Sequence, residues 1–263
     1  MPFTLAHPAA VLPLRRLRLL RTVPLVIGAM TPDAPYYMPW RIAKYLPDST
    51  HTFLGTFSLD LPIGLLLLLF VWLLRAPLVA PLGPGARAKC SAAMERFGSR
   101  PLNWALAPLS ILVGAWTHLA WDSFTHADGW MVLRIPALSA PVSFFSYTGQ
   151  LCHVLQYACS VFGLVVLAIW FTLLPAPVPA REPGHGERFA GGPMLLAAIF
   201  VAAALAGGFA TAEKLAWHLT PEYRLIYLLL TRTLAFFAAL YTLAGIVVVA
   251  ARRRVSAASV TQA

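Results

Sequence analysis

Charge is what this chain has least of. Only 11% of its 263 residues are Asp, Glu, Lys or Arg, where soluble domains carry about 25%. With 59% hydrophobic residues and a mean hydropathy of +0.71, that shortage excludes an ordinary water-soluble domain. It implies an all-α, polytopic membrane protein. Cysteine is scarce too. Cys90, Cys152 and Cys159 form no CxxC pair and no even set, which argues against a disulfide framework or a thiolate zinc cluster. The +10 net charge does not point to nucleic acid, because the basic residues are not interleaved with an aromatic surface. Their economical use is orientation in a bilayer. A cleavable leader is not expected either: Arg15, Arg16, Arg18 and Arg21 precede the short run "VPLVIGAM", but "TPDAPYYMPW" follows in place of a small-x-small site.

What the chain does have is apolar length. A helix needs about 20 apolar residues to cross a bilayer, and five stretches approach or reach that: 59–74, 102–121, 151–174, 193–211 and 225–251. Polar or turn-rich connections at 76–100, 122–150 and 175–193 separate them. A helix over 8–21 would be only ~21 Å long, too short to span, and Pro24 restarts the chain. Two half-length arms in a re-entrant hairpin are therefore expected, with His7 and Asp33 at one end and the arginines at the tip. Such backbone is tolerated at membrane depth only where other helices bury it. Residues 1–263 read as one membrane domain: 1–58 hairpin and outer loop, 59–174 core spans, 193–251 two C-terminal spans. No internal repeat is visible. Paired broken helices, the mark of many transporters, are absent.

The basic residues orient this arrangement. Fourteen of the 20 lie at the hairpin tip, in 75–100, in 175–193 or after the last span, which the positive-inside rule makes cytoplasmic. His51, His118, Asp122, His126 and His153 then gather at the outer ends of spans, joined by His7 and Asp33 from the hairpin. His118, Asp122 and His126 recur every four residues, one helical face if the helix persists. Imidazole with carboxylate suits a divalent metal, zinc first and manganese or iron next, better than calcium or copper. Ionisable groups inside spans are costly and tend to be functional.

Plainer roles exist for several of these residues. His7 precedes Pro8 at a helix start, Asp33 in "TPD" fits a turn, and His126 and Asp128 fit a solvated loop. His153 and Gln156, about one turn apart, read as orienting partners of ligands, with His126 or His153 also available as acid or base. Asp60 heads a span beside Pro62 and reads as a cap, and His185 as an inert linker residue. Arg232, about eight residues inside the last span, either snorkels, pairs with Asp60, Asp122 or Glu213, or holds a substrate phosphate oxygen.

The segments "MPFTLAHPAAVLPL", "LVIGAMTPDAPYY", "HTFLGTFSLDLPIGLLLLL" and "HLAWDSFTHADGW" resemble the motif series of a bacterial membrane family, domain of unknown function 4184, over roughly residues 1–170. More distantly they resemble the inner-membrane metal-dependent hydrolase-like family. Its early His, "PD", "H-S/T-hydrophobic" start and "HxxxD" helix end fall here on His7, Asp33, His51, His118 and Asp122, which the resemblance implies as metal ligands. One departure stands: Ala34 and Pro35 follow Asp33 where the distant family usually has a second acid. The resemblance implies a metal-dependent hydrolase of the bacterial inner membrane, acting at the outer interface on a lipid-linked, phosphoester or amide substrate. A non-catalytic metal-binding or scaffolding protein is the alternative. The lipid bilayer is the expected partner, and nothing in the chain identifies a protein one.

The charge asymmetry generates a first prediction. A reporter fused after Gly129 is expected to behave as non-cytoplasmic, and one fused at the C-terminus as cytoplasmic. The opposite pair of signals would place the histidine-bearing helix ends on the inner face.

Overall fold

The structure is a computed structural model that describes residues 3–38, 46–144, 147–175, 177, 193–215 and 222–261. The expected linker 175–193, with His185, lies almost wholly outside the described residues. The chain divides into two compact units. Met1–Pro35, Trp40–Leu69 and Arg96–Pro175 form one; Tyr36–Pro39, Phe70–Glu95 and Ala176–Ala263 form the other.

The first unit opens with short pieces. A 3-10 turn (Thr4–Ala6) leads to α1 (Pro8–Val11), and α2 (Thr22–Gly28) precedes a 3-10 segment, Thr31–Tyr37. Proline punctuates the chain: α1, α3 (Pro47–Thr50), α7 (Pro84–Gly98), α8 (Pro101–Ala105) and α11 (Pro193–Leu215) all begin on one. At that position the missing N–H costs nothing and the fixed φ is already helical. α4 (Phe53–Gly55) is capped by Thr52, whose hydroxyl accepts from the Gly55 N–H at 2.9 Å. It continues through a π-helical segment, Thr56–Asp60, into α5 (Leu61–Leu73).

The centre of this unit is α9 (Ala107–Thr125). Its buried residues include Ser110, Ile111, Gly114, Ala115, His118, Asp122 and Thr125, a stripe at the three- and four-residue spacing of one helical face. The small members of the stripe let backbones meet. A Cβ on Gly28 would overlap the Ile111 carbonyl, and one on Gly114 would overlap the Leu25 carbonyl, so α2 lies backbone to backbone on α9. Val11, Leu20, Leu25 and Ala29 close a small core beside this contact. The hairpin tip is tied down at one end of α9, where the Arg21 N–H donates to Ser110 Oγ at 2.9 Å and the Arg21 guanidinium donates to Asn103. Its open end reaches Asp122, 12 residues or ~18 Å further along. The basic tip and the placement of His7 and Asp33 at one end thus match the expectation, while the first arm is helical only over Pro8–Val11 and Leu14–Arg16 and not along 8–21.

The remaining elements depart from it in part. The 122–150 connection contains an antiparallel hairpin, β1 (Pro141–Phe144) with β2 (Tyr147–Gln150), in register Pro141↔Gln150. α10 (Leu151–Leu173) follows. In the second unit α6 (Arg75–Val79) and α7 occupy most of the expected polar connection 76–100. Their Ala, Arg, Lys, Met and Glu residues are strong helix formers, so polarity there did not mean loop. α11 and α12 (Glu222–Thr261) run antiparallel, Gly207 meeting Thr233. The Tyr241 hydroxyl donates to the Leu78 carbonyl at 2.7 Å, and Gly245 admits Pro77.

Among the described residues, four helices are long and apolar enough to cross a membrane: Phe53–Leu73, Leu151–Leu173, Met194–Ala212 and Leu228–Arg252. Only 6% of the apolar window of Leu151–Leu173 is buried, and Leu54, Leu173 and Phe209 are exposed. Such surfaces need lipid around them. The fifth expected span, 102–121, is built as α8 and α9. At 19 residues α9 is ~28 Å long, but His118 and Asp122 dilute its apolarity. Its protein-covered face explains how they are accommodated.

The backbone contact of α2 with α9 is testable. Gly114→Val is expected to destabilise the protein by about 1–3 kcal/mol, as overpacking does. Gly83→Ala, at a glycine with nothing within 4 Å, should leave thermal unfolding in detergent unchanged.

Candidate metal centre

Separate segments converge beside α9. His7 follows the first 3-10 turn, Asp33 lies in the first turn of Thr31–Tyr37, His51 follows α3, and His118 and Asp122 share a face of α9. His7, Asp33, His118 and Asp122 are buried, while the His51 ring is 24% exposed.

Four donor atoms close a ring. His51 Nε2 lies 3.4 Å from Asp33 Oδ1 and 3.8 Å from Asp122 Oδ2; His118 Nε2 lies 3.6 and 3.3 Å from the same two oxygens. A tetrahedral zinc with bonds of about 2.0–2.1 Å spans ligand–ligand edges of about 3.3–3.4 Å. Asp33 Oδ1, His118 Nε2 and Asp122 Oδ2 are buried without a hydrogen-bond partner. Orphaned buried polar atoms are costly, and one cation among them would satisfy all three. The donor set fits a divalent metal in number, spacing and chemistry.

The surroundings hold these donors in a ligand-ready state. His118 Nδ1 lies 2.9 Å from the Ala29 carbonyl. A carbonyl only accepts, so Nδ1 carries a proton and Nε2 is the nitrogen turned toward the ring of donors. The Thr4 hydroxyl donates to Asp33 Oδ2 at 2.6 Å, leaving Oδ1 for the ring. The Thr50 hydroxyl donates to the Pro32 carbonyl at 2.9 Å and sits 3.3 Å from His51 Nδ1. His7 Nε2 is 3.1 Å from Asp122 Oδ1, the oxygen turned away from the ring, and the His7 imidazole stacks on His118 at 3.7 Å. Two triads can each hold an ion, His7–His118–Asp122 and Asp33–His51–His118, and His118 belongs to both.

Burial, helped by the neighbouring His118, holds the His7 imidazole below its ordinary range and therefore neutral at pH 7. Burial alone would raise the Asp33 carboxyl. The imidazoles of His118, His51 and His7 outweigh it and hold Asp33 below the usual carboxylate range. Burial also lowers His126.

The periodicity of His118, Asp122 and His126 holds for two of the three. α9 ends at Thr125, and His126 is already extended, at φ −113°. Its imidazole folds back all the same: Nδ1 lies 3.1 Å from the Asp122 carbonyl and 3.7 Å from Oδ2. His153 and Gln156 lie half-buried on α10, and among the described residues no contact links their side chains to the cluster. Arg232 is in the second unit, where its guanidinium donates to the Ala210 carbonyl. Asp60 does not cap its helix: it is wholly buried within a π-helical segment and neither carboxylate oxygen has a hydrogen-bond partner. An aspartate at the head of so apolar a run was the one signal available.

These features define a multi-pass membrane protein with a buried histidine–aspartate cluster between its N-terminal hairpin and a central helix. The family described as Domain of unknown function (DUF4184) matches residues 1–255, and the chain belongs to it. The match runs past residue 170 and takes in α11 and most of α12. No curated protein and no solved structure matches the chain.

Thr4 provides a test of the outer contacts. Thr4→Val keeps the shape and removes the hydrogen bond to Asp33. Changes of this kind typically cost about 10–100-fold in metal affinity, so competition with a chelator should read a loss of that order. Equal affinities would remove Thr4 from the metal centre's support.

Proposed function

We propose that this protein is a membrane-embedded, metal-dependent hydrolase. The observation that carries the reading is the ring of four donors, three of them otherwise unsatisfied and buried. Asp33, His51, His118 and Asp122 would hold a divalent cation, zinc first and manganese or iron next, with His7 able to join through the triad it shares with His118 and Asp122. Such an ion supplies Lewis acidity and makes water nucleophilic near neutral pH. The protein's own part is to fix the donors and manage protons. His7 orients Asp122. His126, whose Nδ1–H is spent on the Asp122 carbonyl, keeps Nε2 free to accept or return a proton, and His153 is the reserve for that role.

The substrate class follows from position. The partly exposed rings of His51 and His126 mark the open side. Trp121, edge-on to His7 at 6.2 Å, also lines an open apolar groove of about 440 Å³ with Ala10, Thr117, Phe124, Leu155 and Cys159 among others. Its size is that of a ligand pocket and its lining suits hydrocarbon. A lipid-linked phosphoester or amide, met at the outer interface of a bacterial inner membrane with the C-terminus in the cytoplasm, suits this arrangement.

The alternative, a non-catalytic metal staple, draws on one feature: the same contacts that ready the donors also bind the hairpin to α9, as His118 to Ala29 does. Two measurements separate the readings. Metal per chain should fall by about tenfold or more in affinity for Asp122→Asn and His118→Ala, and stay level in His185→Ala. Equal metal in all four proteins, wild type included, would remove the centre altogether. Turnover of lipid phosphoesters or amides by the metal-loaded wild type, lost in Asp122→Asn, supports the hydrolase; full metal with no turnover of either class supports the staple.

A further inference from the structure

The hairpin tip, at the end of α9 away from the metal centre, carries a charge that the chain leaves unanswered. Arg15, Arg16, Arg18 and Arg21 fall within seven residues, and no Asp or Glu occurs before Asp33. The four do not share one task. Arg21 is spent inside the protein: its guanidinium donates to Asn103 and, at 2.7 and 3.1 Å, to the carbonyls of Arg18 and Leu20. Two turns add to this, the Leu17 N–H donating to the Leu14 carbonyl at 2.9 Å and the Leu20 N–H to the Leu17 carbonyl at 3.1 Å. The backbone of the tip is thereby fixed, and Arg15, Arg16 and Arg18 are left exposed. Among the described residues none of these three has an ion-pair partner. Arg100, just ahead of α8, adds another exposed cation and not an acid.

Depth and company identify what meets them. The Arg15 guanidinium lies 5.6 Å from the centre of the Trp170 ring. Trp170 is in the last turn of α10, a helix long and apolar enough to cross a membrane. Tryptophan at such a helix end sits at the level of the lipid headgroups, which puts the tip at that level too. Leu17 and Leu19, on either side of Arg18, are 54% and 63% exposed. Exposed leucines interleaved with arginines suit the headgroup boundary, where apolar side chains enter the acyl region and guanidinium groups stay with the phosphates. The planar fork of arginine also matches two phosphate oxygens at once. We propose that the hairpin tip is a binding site for an anionic phospholipid, its phosphate headgroup held by Arg15, Arg16 and Arg18 and its chains against Leu17 and Leu19. This does not rest on the hydrolase reading, since the tip binds α9 at Ser110, three helical turns from Asp122.

The full chain, purified in a neutral detergent, would be titrated with phosphatidylglycerol or with phosphatidylcholine of the same acyl chains. Native mass spectrometry would then read the lipid retained per protein. The wild type is expected to retain phosphatidylglycerol in preference. A basic residue at an anionic surface contributes about fivefold in binding. Arg16→Gln and Arg18→Gln should therefore each weaken phosphatidylglycerol retention about fivefold, and the pair on the order of 25-fold, with thermal unfolding unchanged. Leu17→Ser with Leu19→Ser should weaken it as well. Arg134→Gln removes an exposed arginine stacked on Trp130 in the 122–150 connection and should retain the lipid as the wild type does. A wild type that holds both lipids equally would overturn the proposal, as would a double arginine variant that keeps its preference. A loss in Arg134→Gln equal to that of a tip arginine would overturn it too, by making the effect one of net charge alone. Retention untouched by the leucine changes would point to a free anion and overturn the lipid assignment.

Discussion

The contact on which the rest depends is the meeting of two backbones, α2 and α9, with no side chain between them. Gly28 and Gly114 each sit where a methyl group would overlap a carbonyl of the other helix. Because that approach is so close, the Ala29 carbonyl reaches His118 Nδ1, and Asp33, four residues on, comes within 3.6 Å of His118 Nε2. A helix pair held apart by leucines would sit several ångströms wider and would leave both contacts out of reach. Small residues here set the geometry of the cluster.

Once that geometry is set, electrostatics becomes the main difficulty of the unit. Carboxylates enter an apolar environment without guanidinium or ammonium partners. Asp33 and Asp122 are managed by dividing their two oxygens. Asp33 gives one to Thr4 and one to the ring; Asp122 gives one to His7 and one to the ring. Divided in this way, a carboxylate is fixed in rotation, so its ring-facing oxygen is held in place before any ligand arrives.

The parts of this arrangement that were legible in the sequence rest on local signals. Proline punctuation, apolar length and a four-residue spacing depend on chain geometry that any helix imposes, so the hairpin arms, the long helices and the His118–Asp122 pair could be read directly. What could not be read needed a neighbour. Residues 84–98 look like a polar connection because their helix has no strong apolar face. The hairpin at 141–150 is two short strands whose pairing no periodicity announces. Asp60 reads as a cap until the π-helical segment, a tertiary adjustment against α9, is seen. His126 was placed on a helical face that ends one residue too soon, and only its ring, turned back, keeps it near Asp122.

Chain order gives the cluster a timetable. Its donors occupy positions 7, 33, 51, 118 and 122, and the last two come from the helix against which the first three are held. Synthesis proceeds at about 5–20 residues per second, so the 67 residues from Thr52 through His118 take roughly 3–13 seconds to appear. For that interval the hairpin has been made and the surface that buries it has not. The N-terminal histidines and Asp33 spend it without the helix that buries them, and the cluster closes only once α9 arrives. A ribosome paused before residue 118 would therefore carry a nascent chain with three of the five cluster residues and nothing to pack them against.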